Sequence, residues 1–228
     1  MNPSSQMLGG WAGVATIVIF GLSFIVPGFL PPLAPAMTAA EAAAYFQEHA
    51  TSIRSGMILM MFAGSFNFFF VAAIATQLRR IETRQPFWTY AQIIAGCAGS
   101  TVIIIGAMLM TAAVFRPERP IEISYALFDL AWVMIIMPGT PALFQNLAIG
   151  GAVLNDRSAA PILPRWYGFF NLWTALLYSP GALITFFKAG PFAWNGLLTF
   201  WLPAAAFGSW FLLTFWLLRK VIREQPSG

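Results

Sequence analysis

Asp129 is the one acidic residue set well inside an apolar stretch of this chain, about five residues (roughly 7–8 Å of helix) from the outer end of its span. A carboxylate at that depth is expensive to keep, so it is a candidate for handling a proton or anchoring a ligand. It is the single weak candidate for a catalytic acid or base, as in an intramembrane isomerase or cyclase. Such chemistry ordinarily wants a second titrating group, and the same span supplies none. The residues able to balance its charge at the outer level are Arg54, at the head of the second span, and Lys188, at the end of the fifth. With His49 they form an outer polar cluster, and an ion pair that locks helices together is the plainer reading of it.

Neutral carboxamides also lie inside the apolar runs, and those placed to meet a ligand are Asn67, Gln145, Asn146 and Asn171. Each can bond one helix to another, a contact worth roughly 0.6–2 kcal/mol in a membrane. Each can equally meet a ligand hydroxyl or carbonyl, or cap backbone carbonyls freed by a proline. These groups imply polar recognition rather than acid–base work. Several chemistries are disfavoured outright. One histidine cannot give bis-histidine haem ligation or a His-rich zinc site. The lone Cys97 cannot form an internal disulfide and reads as a small packing residue. There is no CxxC, HExxH, P-loop or GxGxxG. Neither a cofactor nor a metal is expected.

The elements that must position these groups are membrane helices. Of 228 residues 59% are hydrophobic and 9% charged, with a mean hydropathy of +0.73; a soluble domain carries roughly 25% charged residues. Six apolar segments reach the ~20 residues that a crossing needs, at about 11–30, 53–78, 88–115, 124–154, 166–187 and 196–218. Their backbones must satisfy their own hydrogen bonds in lipid, and they lack the two-residue alternation of a barrel. The expectation is an all-α polytopic bundle forming one membrane domain over 1–228. The run Trp11–Leu30 exceeds the apolar core of a signal peptide and Met1–Gly10 holds no Lys or Arg, so this is read as a first span.

Between the first and second spans, Thr38-Ala-Ala-Glu41 is a capping-box pattern followed by an alanine run, with Tyr45 and Phe46 suited to an interface. This predicts a short amphipathic helix along the outer face, as connector or lid. The fourth span contains IIMPGTPALFQNLAIGG. Pro138 and Pro141, with Gly139 between them, each remove a backbone donor and predict a break near mid-depth. Pro180 and Gly181 interrupt the fifth span in the same manner, and the sixth carries Pro203. Paired interrupted helices point to a transporter-like site, although prolines also simply bend membrane helices. In the third span Gln92, Gly96, Gly99 and Gly106 share a face, which suits close helix contact within the chain, with a partner subunit or with a second copy.

The net charge of +4 would suggest nucleic acid in a soluble protein. The charges instead sit at span ends. Arg79, Arg80, Arg84, Arg157, Arg165, Arg219, Lys220 and Arg223 fall on one side, against Arg54, Arg116, Arg119 and Lys188 on the other. The positive-inside rule then places both termini in the cytoplasm and removes nucleic acid from the list of partners.

The segments LAWVMIIMPGTPALFQNLAIGGAVLNDR and PRWYGFFNLWTALLYSPGALITFFKAGPFAWNGLLTFWLP resemble a group of small bacterial inner-membrane proteins with six helices and no assigned activity. The resemblance implies the six-span layout and a multi-pass inner-membrane location; it carries over no site residue. The function expected from the residues is binding or passing an apolar small molecule (a sterol, isoprenoid or lipid) in a pocket among the second, fourth and fifth spans. An accessory subunit of a larger membrane complex, and an intramembrane enzyme using Asp129, are the alternatives.

Overall fold

Each long apolar run closes its hydrogen bonds on itself, and the computed structural model, which describes residues 3–225, has no strand among them. The helices are α1 (Pro3–Ile25), α2 (Ala39–Ile81), α3 (Phe87–Ala113), α4 (Ile121–Ile136), α5 (Gly139–Asn155), α6 (Arg165–Tyr178) and α7 (Leu202–Arg223). A 3-10 helix, Ser179–Phe186, continues α6, and a π-helical turn, Leu197–Trp201, leads into α7. With α4 and α5 taken as one broken crossing, six segments are long and apolar enough to span a membrane.

Three boundaries depart from expectation. The first span leaves its helix at Ile25 rather than Leu30, because Pro27 and the left-handed Gly28 (φ 74°) turn the chain there. The outer helix does begin at the capping box, where the Glu41 amide donates to Thr38 Oγ1 (3.3 Å) and the Thr38 amide donates to Glu41 Oε2 (2.7 Å). It is not a separate helix, however. Nothing between Glu41 and Arg54 is a proline or a glycine, so it runs straight into the second span as one helix of 43 residues. At 1.5 Å per residue that is roughly 65 Å, about twice the hydrocarbon thickness. Pro203 lies in the first turn of α7, directly after the π-helical turn Leu197–Trp201, rather than in the middle of the sixth span.

The fourth span breaks where its prolines predict. Pro138 cannot donate to the carbonyl four residues back, and α4 (16 residues) and α5 (17 residues) meet there as two nearly equal halves. Pro180 likewise ends the α-helical part of the fifth span and leaves the tighter 3-10 turn after Tyr178. The glycine face of α3 is consumed inside the chain. A Cβ on Gly96 would lie 2.6 Å from Gln145 Nε2, and one on Gly106 would lie 2.9 Å from Ile135 Cγ1. The absent side chains let the broken fourth span press against α3.

Two packed clusters hold the ends apart. One gathers Phe24, Phe29, Phe128, Trp132 and Trp194 under residues 26–38, the non-helical strap between α1 and α2. Tyr45 donates its hydroxyl to the Pro27 carbonyl (2.5 Å), Trp194 Nε1 donates to Leu33 O (2.7 Å), and the Tyr125 hydroxyl donates to Met37 O. Phe29 is buried from the strap between the rings of Tyr45 and Trp132. The other cluster, around Phe70, Tyr167, Trp210 and Phe211, packs the opposite, basic end. There Gln6 of α1 accepts from Gln77 of α2 (2.5 Å) and from Gln225 beyond α7 (3.0 Å), tying the chain's two ends to its second helix.

Candidate functional site

The break at Pro138 sets the site. The backbone of Tyr178, the last residue of α6, closes on Gly139 so tightly that a Cβ on that glycine would lie 2.7 Å from the Tyr178 carbonyl oxygen. Beside this junction α1, the broken fourth span, the end of α6 and the start of α7 enclose a chamber of about 350 Å³. Its walls are apolar, from Phe20 and Phe24 on α1 through Ile135 and Ile136 to Phe200 and Phe207, and no charged residue lines it. Gly21 of α1 faces into this space, and a Cβ added there would meet nothing within 4 Å. Leu30 and Trp201 in the wall are 43% and 44% exposed, so the chamber opens on the bilayer side between α1 and α7. Tyr178 borders it, and the Tyr178 hydroxyl has no hydrogen-bond partner among the described residues.

A smaller recess of about 50 Å³ adjoins the chamber, and Phe20, Ile103, Pro138, Ala142 and Phe207 line both. The Phe20 and Phe207 rings meet at 5.2 Å on that shared wall. The recess is where the polar groups are. Asn67 Nδ2 donates to Ser100 Oγ (2.8 Å), and Ser100 Oγ donates onward to the Gly96 carbonyl (3.0 Å). Asn67 Oδ1 is buried with no partner. The Gln145 side chain is 5% exposed, fits against the bare Cα of Gly96, and makes no hydrogen bond among the described residues; its Nε2 is wholly buried. A buried amide group without a partner is uncommon and asks for a reason.

The remaining expected site residues lie elsewhere. Asn171 is a structural tie: its Nδ2 donates to Tyr167 O (2.7 Å), and its Oδ1 accepts from Trp210 Nε1 (2.9 Å). Asn146 turns its Nδ2 back to Ala142 O (2.8 Å) and borders neither cavity, although its Oδ1 is also unpartnered. The chamber therefore lies among the first, third, fourth, fifth and sixth spans rather than the second, fourth and fifth, and α2 enters only at the recess, through Ala63, Gly64 and Asn67.

The outer polar cluster does not assemble. Arg54 Nη2 donates to the carbonyls of Val114 (2.7 Å) and Phe115 (3.4 Å), capping the C-terminal end of α3. A cation at a helix C-terminus meets free carbonyls and the negative end of the dipole, which draws it from Asp129. His49 stacks on Tyr45 with ring centroids 4.1 Å apart. Asp129 is half-buried and has no ion pair within 4 Å among the described residues; the exposed Lys188 attracts it from farther away. Asp129 lines neither the chamber nor the recess.

Three contributors escaped the sequence reading. Ser100 lies one turn beyond Gly96 on the same face of α3, so its spacing held the signal. Tyr178 directly precedes the Ser179-Pro180-Gly181 interruption. Gly21 carried none, since its worth is the space opposite it. Among the described residues no three His, Cys, Asp or Glu side chains come together as a metal site. Neither family models nor curated proteins nor solved structures give a match to this chain.

Proposed function

We propose that this multi-pass membrane protein binds an apolar small molecule, an isoprenoid or lipid, which enters the chamber at the Pro138 break from the bilayer. The observation that carries the reading is the uncharged chamber of about 350 Å³ beside a broken helix. That volume falls within the roughly 300–1,000 Å³ of small-molecule sites, whose walls are mostly apolar with a few placed polar groups. An opening between α1 and α7 suits a ligand that partitions into lipid first. Eight Lys and Arg residues at one end against four at the other support an inner-membrane protein with both termini in the cytoplasm.

Gly21→Leu tests the reading. Leucine suits a helix better than glycine, and its side chain has open space to enter. The variant should fold with undiminished thermal stability while placing its side chain in the chamber. Native mass spectrometry of gently purified wild type should show a bound apolar molecule that is absent from Gly21→Leu. Equal retention of the same molecule by both proteins, or none by either, defeats the proposal.

A further inference from the structure

The recess specifies what the ligand must carry at its end, and this step rests on the binding reading above. We infer that the ligand is a slender apolar molecule ending in one uncharged hydroxyl, a long-chain or isoprenoid alcohol, whose hydroxyl sits between Asn67 and Gln145.

The hydrogen-bond directions fix the requirement. Ser100 spends its only proton on the Gly96 carbonyl, so toward Asn67 it can only accept. Asn67 must therefore turn its Nδ2 to Ser100 and leave Oδ1 as an unpartnered acceptor. That oxygen demands a donor, which a ketone, quinone, ether or ester cannot provide. Gln145 offers the complementary group, a buried Nε2 with no acceptor. Rotating the Gln145 amide exchanges its donor for an acceptor, and a hydroxyl, which both donates and accepts, serves either arrangement.

Charge and size narrow the class further. No Lys, Arg, Asp, Glu or His lines the recess or the chamber, so a carboxylate, phosphate or ammonium would be buried without a counter-charge. At about 50 Å³ the recess takes a hydroxyl and the carbon that bears it, not a ring or a glycerol. Phe20, Pro138 and Phe207 border both the recess and the chamber, and the chain would lie in the chamber.

The test compares 1-dodecanol, dodecanal, dodecyl methyl ether and dodecane against wild type, Asn67→Leu, Gln145→Met and Gly21→Leu in nanodiscs, read by native mass spectrometry. Wild type should retain 1-dodecanol on the order of ten-fold more tightly than the aldehyde or the ether, the yield of one well-made buried hydrogen-bond pair. Asn67→Leu and Gln145→Met should lose the preference for the alcohol over the aldehyde and the ether. Equal binding of all four probes by wild type, or a preference that survives both substitutions, overturns the hydroxyl inference and leaves the chamber standing. Wild-type selectivity decides the question even where a variant does not fold. Absence of every probe from wild type, matching Gly21→Leu, removes both proposals together.

Discussion

Asn67 and Asn171 show how one side chain in one kind of setting takes opposite roles. Both lie among aromatic residues inside a span. Asn171 has its donor and its acceptor satisfied within the α6–α7 contact, whereas Asn67, which lines the recess, has its Oδ1 buried without a partner. Truncating Asn171 strands the Trp210 indole donor in a dry interior, at a cost of about 1–3 kcal/mol. Asn171→Ala should therefore lower the thermal midpoint in nanodiscs and leave the alcohol preference intact once folded. Asn67→Leu should do the reverse, abolishing the preference with little change in midpoint. A shared effect of the two on stability would mean that Asn67 is a packing group. The sequence displays both asparagines with equal clarity and cannot rank them, because the ranking depends on whether the neighbouring helix brings Trp210 or only Ser100. The expected pairing of Asp129 with Arg54 fails for a similar reason: each charge is visible in the chain, but the free carbonyls at the end of α3 that claim Arg54 are a product of folding.

At the scale of helices, what could be read was what depends on local chemistry. The break at Pro138, the interruption of the fifth span at Pro180 and the start of α2 at Thr38 all follow from a missing donor or a capping side chain, and all three occur. The fusion of the outer helix with the second span was equally local, since residues 39–55 contain no helix breaker, but the polar residues there suggested an end that the backbone does not make. The cap itself is testable. The Thr38 amide and hydroxyl hold the Glu41 carboxyl, which lies on the exposed outer turn, below the usual carboxylate range. A carboxylate held lower when folded contributes stability above its unfolded pKa and loses it as pH falls through its folded value. Hydrogen exchange in the first turns of α2, taken relative to the intrinsic amide rate at each pH, should thus quicken in acid, below the ordinary glutamate range. Thr38→Ala should quicken it already at neutral pH, while the span from Ile53 onward stays protected. Exchange indifferent to both changes would show that packing on the strap, not the cap, holds those turns.

Across the whole molecule the two ends are built differently, and neither construction is visible as a pattern along the chain. Gln6, Gln77 and Gln225 are far apart in sequence, yet they close the basic end in one amide cluster. The strap end is closed by tyrosine and tryptophan donors reaching the backbone of residues 27–37. The chamber opens only because α1 and α7, from opposite ends of the sequence, stand side by side next to the Pro138 break. Composition nevertheless orients the assembly. Arg79, Arg80, Arg84, Arg157, Arg165, Arg219, Lys220 and Arg223 all lie on short connections or helix ends at the amide-cluster end, the kind of segment in which Lys and Arg set topology. The strap end has half as many, and Arg54 there is committed to the end of α3. The amide-cluster end should therefore face the cytoplasm. In a fusion series in living cells, alkaline phosphatase joined after Glu224 should be inactive and green fluorescent protein at the same position bright, with the opposite pair of signals for fusions after Pro117. An active phosphatase after Glu224 would invert the molecule, place the strap in the cytoplasm, and make the charge asymmetry an exception to positive-inside sorting.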